Sequence, residues 1–167
     1  AAKIVFSGVG KTKDEMTAAL EAGIYQFNVE SQPELEALDA IGRALDKPAP
    51  VALRVNPDVA AGGHDKISTG RKEDKFGVSW NEARPLYAKA REMKGVAVKG
   101  VDLHIGSQIT DLAPFEAAFR KTSSLIADLR ADGCNIERLD LGGGLGIPYG
   151  GPGAVPPHPD EYAALIK

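Results

Sequence analysis

The sequence lacks the features that mark secreted, membrane-bound or nucleic-acid-binding proteins. Its single cysteine, Cys134, allows no disulfide within the chain, as is typical of proteins from a reducing compartment. No apolar run approaches the ~20 residues of a membrane-spanning helix. The net charge is −3 and aromatic residues make up only 6% of the chain, which disfavours a nucleic-acid-binding surface. We therefore predict a cytoplasmic protein with neither membrane nor nucleic-acid partners.

Motifs for metals and nucleotides are also missing. The three histidines, His64, His104 and His158, lack the close spacing of metal ligands, and no C-x-x-C pattern occurs. The glycine run at 142–146 differs from the Rossmann pattern G-x-G-x-x-G, because Ile147 takes the place of the last glycine and no helix follows. No Gly-Lys-Ser/Thr follows the run, which excludes a Walker A loop there. We expect neither a metal site nor either kind of nucleotide site.

Short apolar segments alternate with segments that carry a helical stripe of apolar residues. The predicted strands are Lys3–Phe6, Tyr25–Val29, Val51–Val55, Val96–Ile105 and Leu139–Leu141. The predicted helices are Lys13–Ala22, Ser31–Asp46, Asn81–Met93, Pro114–Ala131 and Glu161–Ile166. Ser31 and Glu34 have the spacing of a capping box, and Pro33 suits the first turn of a helix.

The alternation of strands and helices predicts an α/β fold with a parallel sheet covered by helices. Right-handed crossovers then place the carboxyl ends of all strands at one edge of the sheet. Five strands do not close a (β/α)8 barrel, so the sheet is either open and doubly wound or part of a barrel. The abrupt ends of the chain, which has no initiator methionine, favour a partial (β/α)8 barrel.

Polar and glycine residues collect where the predicted strands end. They are Ser7–Gly8, Glu30–Ser31, Arg54–Asn56, His104–Ser107 and Gly142–Gly146. Ligands of parallel α/β folds bind at this edge. A strand that ends in consecutive glycines is a candidate phosphate cradle, since glycine amides can approach an anion closely, and an ordinary turn is the equal alternative. The polar loop Asp58–Gly77 is longer than most connections, and a loop of this kind is usually either functional or disordered.

Seven motifs, in order along the chain, resemble a known family. They are Val5–Thr12, Asn28–Ser31, Leu53–Pro57, Lys66–Gly70, Lys75–Gly77, His104–Gln108 and Leu139–Gly146. Together they resemble the decarboxylases that use pyridoxal 5′-phosphate (PLP) and have an alanine-racemase-like barrel. The likeness is strongest to the diaminopimelate decarboxylases. Lys66–Gly70 and His104–Gln108 favour this branch over the ornithine and arginine decarboxylases.

The resemblance implies roles for individual residues. His104 is expected to stack on the ring of PLP, and Ser107 to bind its phosphate. The backbone amides of Gly142, Gly143 and Gly144 are expected to bind the same phosphate. Arg54 is expected to lie near the cofactor. Asp102 stands where these decarboxylases often carry a histidine, and it receives no role.

The resemblance also implies an activity and a missing part. The full-length protein is expected to convert meso-diaminopimelate, a small-molecule amino acid, to L-lysine as a homodimer with shared active sites. Alternatives are a related ornithine, arginine or carboxynorspermidine decarboxylase, or a PLP-binding barrel without catalysis. Residues 1–167 correspond to about the third to seventh barrel strands, without the C-terminal β-domain. The Schiff-base lysine would lie outside this chain, which is therefore expected to be inactive by itself.

Overall fold

The structure is a computed structural model that describes residues 1–59, 76–148 and 155–167. In chain order its elements are β1 (Val5–Phe6), α1 (Lys13–Glu21), β2 (Gln26–Val29), α2 (Gln32–Ala44), β3 (Ala49–Asn56), β4 (Val78–Ser79), α3 (Trp80–Glu92), β5 (Val96–Asp102), α4 (Ala113–Ala131), β6 (Arg138–Asp140) and α5 (Pro159–Ile166). Among the described helices, none has both the length and the apolar character to cross a membrane.

The sheet is parallel throughout, with the strand order β1-β2-β3-β5-β6 and with β4 paired to the carboxyl end of β3. The prediction of a parallel α/β sheet is confirmed. The prediction of five strands is wrong by one, because β4 was missed. Two residues at the end of a long polar loop carry no periodic pattern, and only their pairing with Val55 and Asn56 makes them a strand.

The described sheet is strongly curved. The Asn28 side chain on β2 donates a hydrogen bond to Asp140 at the end of β6, with 2.9 Å between Nδ2 and Oδ2. These strands are three positions apart in the sheet, or ~14 Å in a flat sheet at the usual spacing. Side-chain contact over that separation requires the sheet to curl towards itself as the wall of a barrel does. The geometry agrees with the predicted partial (β/α)8 barrel.

The two faces of the sheet differ in chemistry because successive side chains point to opposite sides. Phe27, Val29, Val51, Leu53 and Val55 belong to the apolar core. That core includes buried helix residues, among them Leu20, Leu35, Leu38, Tyr87 and Leu129. Cys134 is buried in the same core, as expected of a structural cysteine. The opposite, concave face is polar and leads to the carboxyl ends of the strands.

Two local predictions are corrected. β5 ends at Asp102 instead of Ile105, so His104 lies in the loop after the strand. Ser31 caps α2, but the capping box is incomplete, because the Glu34 carboxylate binds Lys11 and the backbone of Glu30 instead. A buried cation outcompetes the exposed backbone amide that a capping box would use.

Candidate functional site

The glycine turn after β6 packs directly against the loop after β5. A Cβ atom on Gly144 would lie 1.9 Å from the carbonyl oxygen of Gly106, and one on Gly142 would lie 2.2 Å from that of Leu103. Both glycines also have positive φ angles, +66° for Gly142 and +103° for Gly144. Only glycine allows this approach of two backbones, so the turn is a fixed structure rather than a loose connection.

Hydrogen bonds extend this contact beyond the turn. The amide of Ile109 donates to the Gly144 oxygen, and the amide of Gly146 donates to the Ile109 oxygen, each at 2.9 Å. The amide of Ile147 donates to the Gln108 side chain, also at 2.9 Å. The loop containing His104 and Ser107 therefore forms one unit with the glycine turn.

His104 is held in a definite protonation state. Its Nδ1 accepts a hydrogen bond from the Gly143 amide at 3.3 Å, so the neutral ring carries its proton on Nε2. Burial, followed by the nearby charge of Arg54, lowers the pKa of His104 below its ordinary value. The imidazole is therefore neutral near pH 7 and half-buried. A neutral, fixed ring of this kind can pack against a flat aromatic ligand.

The amides of the turn differ in their partners. Gly142 donates to Asp140 Oδ1 at 2.9 Å, and Gly143 donates to His104. Within the described residues, no acceptor meets the amide of Gly144, and no partner meets the exposed hydroxyl of Ser107. Gly144 lies against Ser107, since a Cβ on the glycine would be 3.5 Å from the serine Cα. An amide and a hydroxyl without acceptors suit an anion such as phosphate.

Charged side chains follow one another across the concave face. Arg54 pairs in register with Asp102 on β5, and Asp102 pairs with Asp140 on β6. The Arg54 guanidinium binds both oxygens of Glu30, at 2.9 and 3.0 Å. Its Nε atom is buried and meets no partner among the described residues. Arg54 thus lies at the predicted site with one buried donor unused.

Asp102 has an unusual environment for an aspartate. Burial first, and then the negative charge of Asp140, raise its pKa to about 7, although Arg54 opposes the shift. The residue as a whole is only 4% exposed. The site therefore contains one carboxyl group that releases its proton near neutral pH.

A buried ion pair supports the loops at the first two strand ends. Lys11 Nζ donates to Glu34 Oε1 at 2.6 Å and to the carbonyl oxygens of Gly8 and Asn28, each at 2.7 Å. The Gly8 amide in turn donates to Glu30 at 3.3 Å. Lys11 therefore connects the loop after β1 to the residues around the Glu30–Arg54 pair.

The structure brings together five of the six residues of the predicted site, and Arg54 lies on the same concave face. His104, Ser107 and the three glycines form one unit, and Arg54 acts on it through its charge. Sequence reasoning missed Asn28 and Asp140 and gave Asp102 no role. Their polarity gave no clear signal, because β2 also contains Gln26 and β6 also contains Arg138. Lys66–Gly70 and His64 lie outside the described residues, and in the described part no group of residues could hold a metal ion.

Residues 1–167 match the family model described as pyridoxal-dependent decarboxylase, pyridoxal binding domain. The chain belongs to this family. The predicted resemblance is thereby confirmed. The family is described as pyridoxal-binding, and the donors of the site that lack acceptors in the described part of the chain suit the phosphate of a ligand of that class. Five of the six site residues are now candidates for holding that ligand, whereas the amide of Gly142, which was expected to bind it, already donates to Asp140.

Relatives of this pyridoxal-dependent decarboxylase domain agree with the predicted branch. The diaminopimelate decarboxylase of Pseudomonas aeruginosa is 51% identical over 99% of this chain and 40% of its own length. The crystal structure of the Helicobacter pylori diaminopimelate decarboxylase, complexed with L-lysine, is 38% identical, with a TM-score of 0.88 over 99% of this chain and 41% of its own. An alanine racemase from Clostridium difficile, 11% identical over 82% of this chain and 32% of its own, shares the fold with a TM-score of 0.61. The chain spans about 40% of the length of the curated relatives it matches.

Proposed function

We propose that this domain binds PLP at the carboxyl ends of its strands, with the cofactor phosphate against the glycine turn. The proposal rests on the unit formed by His104, Ser107 and the glycine turn. This unit presents hydrogen-bond donors that have no acceptor among the described residues, and they lie beside a neutral imidazole ring. The Gly144 amide and the Ser107 hydroxyl are the first phosphate donors. The Gly143 amide joins them by leaving its long 3.3 Å bond to His104. The Gly142 amide, held at 2.9 Å by Asp140, keeps the turn in shape.

The remaining residues would orient and surround the cofactor. Bound PLP supplies the capacity to take up the electron pair that remains when a carboxyl group leaves its substrate as CO2. His104 covers one face of the cofactor ring, and its neutral state avoids adding a second positive charge to the protonated pyridine. Arg54 is held by Glu30 and supplies positive charge at the site. The unpaired Nε of Arg54 is a further donor that a polar ligand group can use.

The full-length protein is proposed to decarboxylate meso-diaminopimelate to L-lysine. The diaminopimelate decarboxylase relative at 51% identity and the relative crystallised with L-lysine support this substrate. A cytoplasmic location and a homodimer with shared active sites complete the proposal. The single buried cysteine is compatible with a reducing compartment.

Full-length protein tests the proposal through two variants and a matched control. His104→Ala and Ser107→Ala are each expected to weaken PLP binding at least about ten-fold, the effect of losing ~1.4 kcal/mol of contact. Ser124→Ala, which removes an exposed hydroxyl from α4, is the control and should bind PLP as wild type does. Unchanged PLP affinity in both site variants would refute the assigned roles.

Substrate assays of the same protein separate the alternatives. Release of CO2 from meso-diaminopimelate, with much slower release from ornithine, arginine and carboxynorspermidine, is expected. Preference for one of those amines would assign the protein to a related decarboxylase. PLP binding without CO2 release from any of the four would identify a carrier.

A further inference from the structure

We propose that Asn28 and Asp140 are positioning residues that hold the glycine turn in the shape that receives a phosphate. This inference rests on the proposed function, because it assigns the support of the proposed phosphate site. The two residues are 112 positions apart in the chain and meet across the concave face at 2.9 Å. The sequence assigned neither of them to the site.

The Asp140 carboxylate is a bridge with one partner on each oxygen. Oδ2 accepts from Asn28, and Oδ1 accepts from the amide of Gly142 at 2.9 Å. Gly142 precedes the amides of Gly143 and Gly144, so its orientation sets theirs. A carboxylate that bonds a backbone amide in a glycine turn makes a stronger contact than a neutral acceptor would. Asp140 thus fixes the first residue of the proposed cradle.

Asn28 fixes the carboxylate in turn. Its Nδ2 donates to Asp140 and, at 2.8 Å, to the hydroxyl of Ser7, while its Oδ1 accepts from Gln26 Nε2 at 2.7 Å. Both amide hydrogens and the amide oxygen are therefore used, which sets the orientation of the side chain in this residue, which is 1% exposed. A buried amide with every partner in place has one orientation, and it passes that constraint to Asp140.

The charge of Asp140 makes this support necessary. A free carboxylate beside a phosphate would repel it, whereas here two donors compensate the carboxylate and keep both oxygens turned to them. Asn28→Asp would place a second carboxylate at 2.9 Å from the first. Asp140→Asn would leave one side-chain oxygen where two now accept, one from Asn28 and one from Gly142. The new NH2 group would then face one of these two donors. Either change releases Gly142.

Exchanging the two residues gives a sharper test than removing either. In the double variant Asn28→Asp/Asp140→Asn, the new carboxylate at position 28 accepts from Gln26, from Ser7 and from the new amide at position 140. The oxygen of that new amide still accepts from the backbone amide of Gly142. Every hydrogen bond of the network is then possible with the charge moved from one side to the other. A double-mutant cycle measures this coupling directly.

Binding of PLP and of pyridoxal, which lacks the phosphate, to the full-length apoprotein tests the inference. Each single variant should lower PLP affinity about ten-fold, the usual effect of a lost charged hydrogen bond. Pyridoxal affinity should stay unchanged, and the double variant should recover PLP affinity to within about three-fold of wild type. Glu116→Gln, which removes an exposed charge on α4, is the control and should bind both ligands as wild type does.

The outcomes distinguish this inference from the proposed function. Equal losses for PLP and pyridoxal, or no loss for PLP, would show that the pair does not act on the phosphate and would overturn the inference alone. A double variant that fails to fold or to prefer PLP would also overturn it. Wild-type protein that binds the two ligands equally would refute the phosphate site itself, and the inference with it.

Discussion

Arg54 and Asp102 are register partners on neighbouring strands, yet Arg54 gives its ion pair to Glu30. Both carboxylate oxygens of Glu30 accept from one guanidinium nitrogen of Arg54, at 2.9 and 3.0 Å. Asp102 is buried beside Asp140, and the charge of Arg54 offsets only part of the resulting rise in the pKa of Asp102. The site therefore contains one fully paired carboxylate and one whose proton is retained up to about neutral pH, and this difference is open to measurement.

The first prediction concerns the pH dependence of stability. The pKa of Asp102 rises from 3.8 to about 7 on folding. From about pH 4 to 7 the folded protein keeps a proton that the unfolded chain has released, so this group's contribution to stability falls as pH rises. A shift of about three pKa units, at ~1.36 kcal/mol per unit, means that Asp102→Asn should gain roughly 4 kcal/mol on wild type between pH 4 and 8, measured by urea unfolding.

Asp128→Asn is the control for that experiment, because Asp128 is an exposed aspartate on α4. It should follow wild type at both ends of the pH range. A constant difference between Asp102→Asn and wild type at all pH values would contradict the raised pKa.

The second prediction concerns the partner of Arg54. Glu30→Gln leaves a largely buried guanidinium without its counter-ion and should lower the free energy of unfolding by about 3 kcal/mol. Arg54 then has Asp102 as the nearest carboxyl in register, so the pKa of Asp102 should fall. A ¹³C NMR titration of the aspartate carboxyl groups would measure this shift. An unchanged pKa of Asp102 would mean that the arginine charge is not redistributed.

The third prediction compares adjacent glycines. Gly144→Ala should lose more than about 2 kcal/mol of stability, because its φ is positive and the new Cβ meets the Gly106 oxygen. Gly143→Ala should fold normally, because nothing lies within 4 Å of its Cβ position. Melting temperatures of the two variants give the comparison. Equal destabilisation would mean that the close approach at Gly144 is not the constraint.

The fourth prediction concerns Lys11, whose side chain is 1% exposed. Lys11→Gln leaves Glu34 buried without its cation, and burial already raises the pKa of that carboxyl. The free energy of unfolding should fall by about 3 kcal/mol. Arg120→Gln breaks the exposed pair with Glu116 on α4 and should change it by less than about 0.5 kcal/mol, as surface pairs do. Similar losses in chemical denaturation would refute the structural importance of the buried pair.

Secondary structure was predictable from the sequence wherever a single short segment determines it. Helix α1 was predicted at Lys13–Ala22 and lies at Lys13–Glu21, with Thr12 as its cap and with Gly23, at a φ of +68°, after its end. The alternation of apolar strands and amphipathic helices identified the parallel sheet. The glycines at 142–144 and the segment around His104 predicted a ligand site at its carboxyl edge. Each of these signals depends on backbone conformation or hydrophobic period, which neighbouring residues determine.

Tertiary structure alone decided which polar groups meet. Nothing local to Asn28 or Asp140 indicates their contact, because it depends on the curvature that the whole sheet accumulates between β2 and β6. The choice of Glu30 over Asp102 by Arg54, and of Lys11 over a helix cap by Glu34, likewise depends on which partners the packed strands bring within reach. A side chain's partner is set by distance and burial in the folded sheet, and the sequence specifies these only through all of its contacts together.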